Sequence, residues 1–401
     1  MKVLYYVPDI TQKNGGVRQY ACALLKILAQ DDRNEYVVLH NAGDDSILSI
    51  IDSYANLTLI PPSVGREKRI EKALWFVLRS GNELLLKSEL TTKSKVLSHD
   101  EQLCNRYKID VVYCPYQYMP DTTRKTIATL HDVQELHFPE FFTPAERLER
   151  AFIYKNIAEK SSLIVVSYEH VKQDLITYFQ RTNDDVLVCL LDMQNLWFDK
   201  FSSESQISLE SYKLPEHFVF YPAVTWPHKN HVGLLKALAY LKEKHNLLIN
   251  VVFTGHQTDF QHQIEQSIEQ LSLKQQVHAL GVVSEEVLYA LYHAARAVVV
   301  PTLYEAGSFP LMESILMGVP VVCSNVTSLP DAMGDKQYVF DSANTADMAD
   351  KINKICFNES YRRENVENSI RQAHKLRNTN ALSKMKKAIT EVNLSCQKAY
   401  S

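Results

Sequence analysis

Two glutamates stand eight residues apart in the run Tyr304-Glu305-Ala306-Gly307-Ser308-Phe309-Pro310-Leu311-Met312-Glu313. Pro310 opens a helix, so Glu313 falls in its first turns, where the helix dipole favours a carboxylate and Phe309 and Met317 supply an apolar flank. A fixed, half-buried carboxylate suits acceptance from two neighbouring hydroxyls, although a helix-start charge without any ligand has the same local signature. Glu305 precedes the helix, at the carboxyl end of a strand, where open α/β sheets bind their ligands. A second constellation is Pro227-His228-Lys229-Asn230, which follows an apolar strand and opens another helix. The N–H groups of a helix start favour anions, and Lys229 adds a full positive charge of the kind a diphosphate takes; a solvated lysine is the plain alternative. Near the N-terminus, Gly15 and Gly16 in Asn14-Gly15-Gly16-Val17 let backbone approach a sugar or phosphate closely, or simply make a tight turn.

The elements that must position these residues are written in the alternation of short apolar runs with helical stretches. Val3–Val7, Tyr36–His40, Leu57–Ile60, Val111–Tyr113, Thr126–Leu130, Leu163–Val166 and Val186–Leu190 read as strands of one parallel sheet. A polar, serine-rich stretch from Phe201 to Lys213 reads as a linker. Phe218–Tyr221, Ile249–Phe253, Val277–Leu280, Ala297–Val300 and Val319–Cys323 then form a second series, with helices over Val232–Lys244 and Ser284–Ala295. Gly318 stops the helix that Pro310 opens. The expectation is an α/β chain of two doubly wound Rossmann-like halves, 1–205 and 206–378, followed by a helix within 379–401 whose Leu382, Met385, Ile389 and Val392 form one apolar stripe.

Composition narrows the function classes. A chain of 401 residues with 46% hydrophobic and 22% charged residues has room for two cores, and a formal charge of −4 gives no pull toward nucleic acid. No apolar run approaches membrane-span length and the first strand begins at once, so a cytoplasmic protein is expected. The seven cysteines lack C-x-x-C spacing and read as reduced core residues. Neither H-E-x-x-H nor D-x-D occurs, which points to chemistry without a bound metal and without a cofactor beyond the substrate.

The E-x7-E run, the Tyr221–His231 stretch, the Leu280-Gly281-Val282-Val283-Ser284 turn and Thr129-Leu130-His131-Asp132 with Phe138-Pro139-Glu140-Phe141-Phe142 resemble, in type and in their order along the chain, the retaining glycosyltransferases of glycosyltransferase family 4. The resemblance implies the GT-B fold, two Rossmann-like domains facing across a cleft, with the terminal helix crossing back onto the first. It implies a nucleoside diphosphate sugar as donor and a glycan or lipid-linked glycan as acceptor. Lys229 would hold the departing diphosphate, with His228 standing where many relatives have arginine. Glu305 would face the donor sugar and the positive charge at its anomeric carbon, Glu313 would take the ribose hydroxyls, and His131 would lie beside the transferred sugar. Gly281, Val282 and Val283 would touch the base, and Gly307, Ser308 and Phe309 would bring backbone to the donor in place of the Gly-Phe-Gly-Leu common among relatives. Bacterial mannosyl- or rhamnosyltransferases of polysaccharide assembly are the nearest in pattern. A nucleotide-sugar epimerase or hydrolase, or a silent subunit of the same fold, is the alternative.

His137, Glu140 and Arg147 shape the acceptor side or make surface ion pairs. Arg66–Arg79 is a basic amphipathic stretch around Trp75 and Phe76, compatible with docking on the inner face of an anionic membrane or with packing on its own sheet.

Overall fold

The structure, a computed structural model, describes residues 1–11, 15–41, 45–61, 98–194, 196–201 and 207–394. The amphipathic stretch 66–79 lies outside the described residues. Seven parallel strands form the first sheet: β1 (Lys2–Tyr6), β2 (Glu35–Leu39), β3 (Leu57–Ile60), β4 (Val111–Cys114), β5 (Lys125–Thr129), β6 (Leu163–Val166) and β7 (Val186–Val188), in the spatial order β3-β2-β1-β4-β5-β6-β7. Six form the second: β8 (Phe218–Pro222), β9 (Asn250–Thr254), β10 (Val277–Ala279), β11 (Ala297–Val300), β12 (Val321–Ser324) and β13 (Val339–Phe340), ordered β10-β9-β8-β11-β12-β13. Every described pairing is parallel, as in Val298↔Val321 and Leu4↔Val112. Helices cover both faces, which is why β4, β6, β11 and β12 are buried along their whole length and read as unbroken apolar runs.

In each sheet the strand order reverses once, at β1/β4 and at β8/β11. At such a switch the two loops leave in opposite directions and open a crevice beyond the carboxyl ends of the strands. In the second sheet this places the turn after β8, which carries Lys229, beside the turn after β11, which carries Glu305.

Every expected strand end falls within two residues of the observed one, and the shift at β12 has a local cause. β12 starts at Val321 rather than Val319 because the Val319 N–H closes the preceding helix on Ser314 and Pro320 has no N–H to give. The two-residue β13 is too short for a sequence signal. The helix Ala381–Leu394 lays Ala381, Met385, Ala388, Ile389 and Val392 into the core of the first half. Met385 and Ile389 are fully buried there, worth about 1.5–3 kcal/mol each.

The chain therefore crosses between the halves twice, and the crossings run side by side. Asp192 Oδ1 accepts from Thr379 N and Oγ1, Met193 N donates to Leu376 O, and Gln194 donates to the Arg377 carbonyl. Among the described residues no helix is long and apolar enough to cross a membrane. The six described cysteines are free, and five of them are buried.

Candidate active site

The turn that carries Glu305 is held from several sides. Thr327 Oγ1 donates to the Glu305 carbonyl at 2.5 Å and Ser328 Oγ to the Ala306 carbonyl at 2.7 Å. Thr302 Oγ1 and Leu303 N both donate to the His228 carbonyl, at 2.9 and 2.7 Å, which joins this turn to the one bearing Lys229. Asn230 adopts φ 58°, caps the helix His231–His245 through Gly233 N, and donates to the Pro301 carbonyl at 2.9 Å. Between the turns, Lys229 Nζ lies 2.9 Å from Glu305 Oε1. Glu305 is buried, and the contact is off the line of a hydrogen bond, so Oε1 keeps an unused acceptor position.

Glu313 sits one helical turn into the following helix, and its polar partners come from elsewhere in the chain. Its Oε1 accepts from Trp197 Nε1 at 2.7 Å and its Oε2 from the Tyr292 hydroxyl at 2.6 Å. Burial pushes its carboxyl above the usual range, and the two donors work against that rise. Ser308, at the start of the same helix, is buried with its Oγ unpartnered.

The halves meet in front of these turns. A Cβ on Gly307 would stand 2.1 Å from the Tyr168 hydroxyl, so only glycine fits against that side chain, whose hydroxyl also reaches Met312 Sδ at 3.5 Å. A Cβ on Gly16 would touch Phe309 at 3.4 Å, which sets the helix start after β1 opposite the helix start after β11. Tyr304 packs its ring on His137 and Phe138, with centroids 5.3 and 6.0 Å apart, and on His170 at 6.3 Å.

From the first half, His131 projects beyond β5 with the edge of Tyr20 against it at 4.8 Å. Burial lowers its pKa to about 4, so it is neutral at pH 7. Its Nε2 is buried without a partner, and a neutral imidazole offers one donor and one acceptor nitrogen to a ligand's hydroxyls. Beside it, Arg150 Nη1 lies 3.2 Å from Glu135 Oε2 and 3.9 Å from Asp132 Oδ1, and bonds the Tyr154 hydroxyl at 3.0 Å. Burial raises both Asp132 and Glu135, with Arg150 opposing. His137 pairs with Asp174 at 2.9 Å, while Glu140 and Arg147 are exposed.

His228 and His231 are both held near a pKa of about 3, by burial first and by the Lys229 charge second. Gly281 has φ 68° and its carbonyl receives Gly255 N; Val282 is 75% exposed and Val283 packs on the core. This turn follows β10, two strands from β8, so it borders the Lys229–Glu305 pair without joining it. The structure thus pairs Lys229 with Glu305 and sets Gly307 against Tyr168 and Phe309 against Gly16 where the halves meet. Tyr168, Tyr304, Trp197, Tyr292 and Arg150 were not foreseen. Apart from Arg150, their partners are far away in sequence, and only the density of aromatic residues at Trp197, Phe198 and Phe201 offered a signal.

Residues 205–372, within the second half, match the family model described as glycosyl transferases group 1. The chain is 29% identical over 239 residues to O-antigen chain mannosyltransferase B of Escherichia coli, covering 59% of this chain and 62% of that one. It thus spans less than two thirds of the length of this curated relative. Among solved structures, the Anabaena Alr3699/HepE complex with UDP and glucose superimposes with a TM-score of 0.67 at 16% identity, covering 98% of this chain and 100% of that one. Sucrose-phosphate synthase from Thermosynechococcus elongatus gives 0.68 at 16% identity, covering 99% and 100%. At these identities the likeness concerns the fold, which is GT-B.

Proposed function

We propose that the protein is a glycosyltransferase that moves a hexose, mannose by preference, from a nucleoside diphosphate to a hydroxyl of a growing surface glycan, with retention at the anomeric carbon. The observation that carries this reading is the set of buried polar atoms left unpartnered around one cleft. His131 Nε2 and His170 Nε2 come from the first half, and Ser308 Oγ from the second. A buried polar group without a partner costs about 1–3 kcal/mol, and a ligand rich in hydroxyls and phosphate oxygens satisfies such a set. The match to glycosyl transferases group 1 and the mannosyltransferase relative support the reaction class and the sugar.

In this reading Lys229 and the N–H groups at the helix start after Ser308 take the diphosphate. Glu305, paired with that lysine, balances the positive charge that grows at the anomeric carbon. His131 Nε2 bonds a hydroxyl of the transferred sugar. The departing phosphate oxygen takes the acceptor's proton on the face it leaves.

The test is incubation with α-linked nucleoside diphosphate sugars and manno-oligosaccharide acceptors. Expected are an acceptor-dependent product with an α-linkage by NMR and activity that survives excess chelator, with Lys229 supplying the charge a cation would bring. A β-linked product would overturn retention. Nucleotide release with no glycosylated product would overturn transfer.

A further inference from the structure

The first crossing between the halves does more than connect them. Residues 196–201 lie on the second half: Trp197 packs against its core and edge-on to Phe198 at 5.4 Å, Phe201 rests on Tyr289 at 5.1 Å, and Lys200 pairs with Glu285. The Leu196 N–H is turned back onto Asp199, and Asp199 meets Arg377 of the return crossing at 3.3 Å. From this anchored segment the indole N–H reaches Glu313 Oε1, while Tyr292, fully buried against Phe220, reaches Oε2. Each carboxylate oxygen offers two acceptor positions. One on each oxygen is taken by the protein, which fixes the carboxylate plane and leaves one on each for a ligand. A vicinal diol presents two hydroxyl donors to such a pair.

We propose that Trp197 is a positioning residue for the donor's ribose: through Glu313 it sets the acceptor pair that receives the 2′- and 3′-hydroxyls, with Tyr292 as its counterpart on the other oxygen. The inference rests on the reading of Glu313 as the ribose-binding carboxylate. Its consequence is that ribose recognition depends on a segment of the hinge. The ribose subsite is complete only while residues 196–201 lie in place on the second half.

The experiment compares binding of GDP, UDP, ADP and CDP with that of their 2′-deoxy forms by calorimetry, in the wild-type full chain, in Trp197→Phe and in Tyr292→Phe. Phenylalanine keeps the aromatic packing and removes only the donor, and Tyr292→Phe supplies the same test if Trp197→Phe does not fold. The wild type should prefer the ribonucleotide it binds by about tenfold, the size of one hydrogen bond to a charged group. In either variant that preference should fall to within about twofold, with the 2′-deoxy form bound nearly as well as by the wild type. A merely structural role would weaken both forms alike and leave the ratio unchanged. An unchanged ratio in the variants, or no ribose preference in the wild type, overturns the positioning role and leaves the proposed reaction standing. A wild type that binds none of the four overturns the donor-site reading itself.

Discussion

At the edge of the second sheet the turns around Lys229 and Glu305 are latched by neutral groups, with Thr302, Thr327, Ser328, Asn230 and Tyr221 each donating to a loop carbonyl. At the edge of the first sheet the side chains are held by charge, in the Arg150, Asp132 and Glu135 cluster and the His137–Asp174 pair. Neutral latches fix a backbone to a fraction of an ångström and respond little to pH or salt. Buried charges hold less rigidly, and their strength changes with protonation and with whatever enters beside them. The contrast assigns rigid placement to the half proposed to bind the donor and adjustable electrostatics to the half proposed to meet the acceptor.

The largest effect should come from the one place where charge enters the latched edge. Glu305→Ala should lower the transfer rate on the order of a hundredfold or more while donor binding changes little, since the carboxylate acts on charge present in the transition state. Steady-state kinetics with full activity in this variant would remove Glu305 from the reaction. Next comes the contact between the halves. Gly307→Ala forces a methyl group onto Tyr168, an overpacking penalty of about 1–3 kcal/mol, and should slow transfer about tenfold. Adding Tyr168→Ala should restore most of that loss; a double variant as slow as the single one would mean that closure is not what the glycine permits.

The histidines beside Lys229 and the carboxylates beside Arg150 titrate with opposite sign. His228 and His231 have folded values of about 3, below the ordinary value near 6.5, so between these limits the unfolded chain takes up protons that the folded one refuses. The stability they allow is present above about pH 6.5 and is lost as pH falls through that window. Asp132 and Glu135 are raised by burial and act oppositely, relieving the folded state as they protonate. The melting temperature should therefore drop between about pH 7 and pH 4.5. The drop should shrink in a His228→Asn, His231→Asn double variant and steepen in Asp132→Asn. Identical slopes in all three proteins would refute the assignment. The smallest effect belongs to a single latch: Ser328→Ala should cost about 1 kcal/mol, or about 2–4 °C in melting temperature, with donor KM raised a few-fold. A melting curve and KM indistinguishable from wild type would show that the turn holds without it.

The sheets and the donor-side turns were legible in the sequence because parallel strands buried on both faces leave apolar runs. Leu163–Val166 and Ala297–Val300 appear in the structure with the expected bounds. The pairing of Lys229 with Glu305 follows from strand order, which periodicity does not reveal; the motifs located the turns, and the switch at β8/β11 joined them. Side-chain partners were not legible. The polar partners of Glu313, Tyr292 and Trp197, stand 21 and 116 residues earlier in the chain. Tyr168 against Gly307 is likewise a contact between halves, and no local pattern encodes it. The linker was expected from its serines at Phe201, but the aromatic segment just before it is the part that touches the site.

The terminal helix, seated in the first core, changes what counts as an exchangeable module. The second half is an insertion within the first, bounded by two cuts, one near residue 190 and one near 380. A chimera joined at a single linker would exchange the donor site together with Ala381–Leu394, pairing a foreign helix with the groove that Met385 and Ile389 fill. Grafts that alter donor choice should therefore be made as cassettes closed at both crossings, with Asp192 and Thr379 kept as a matched pair across the seam.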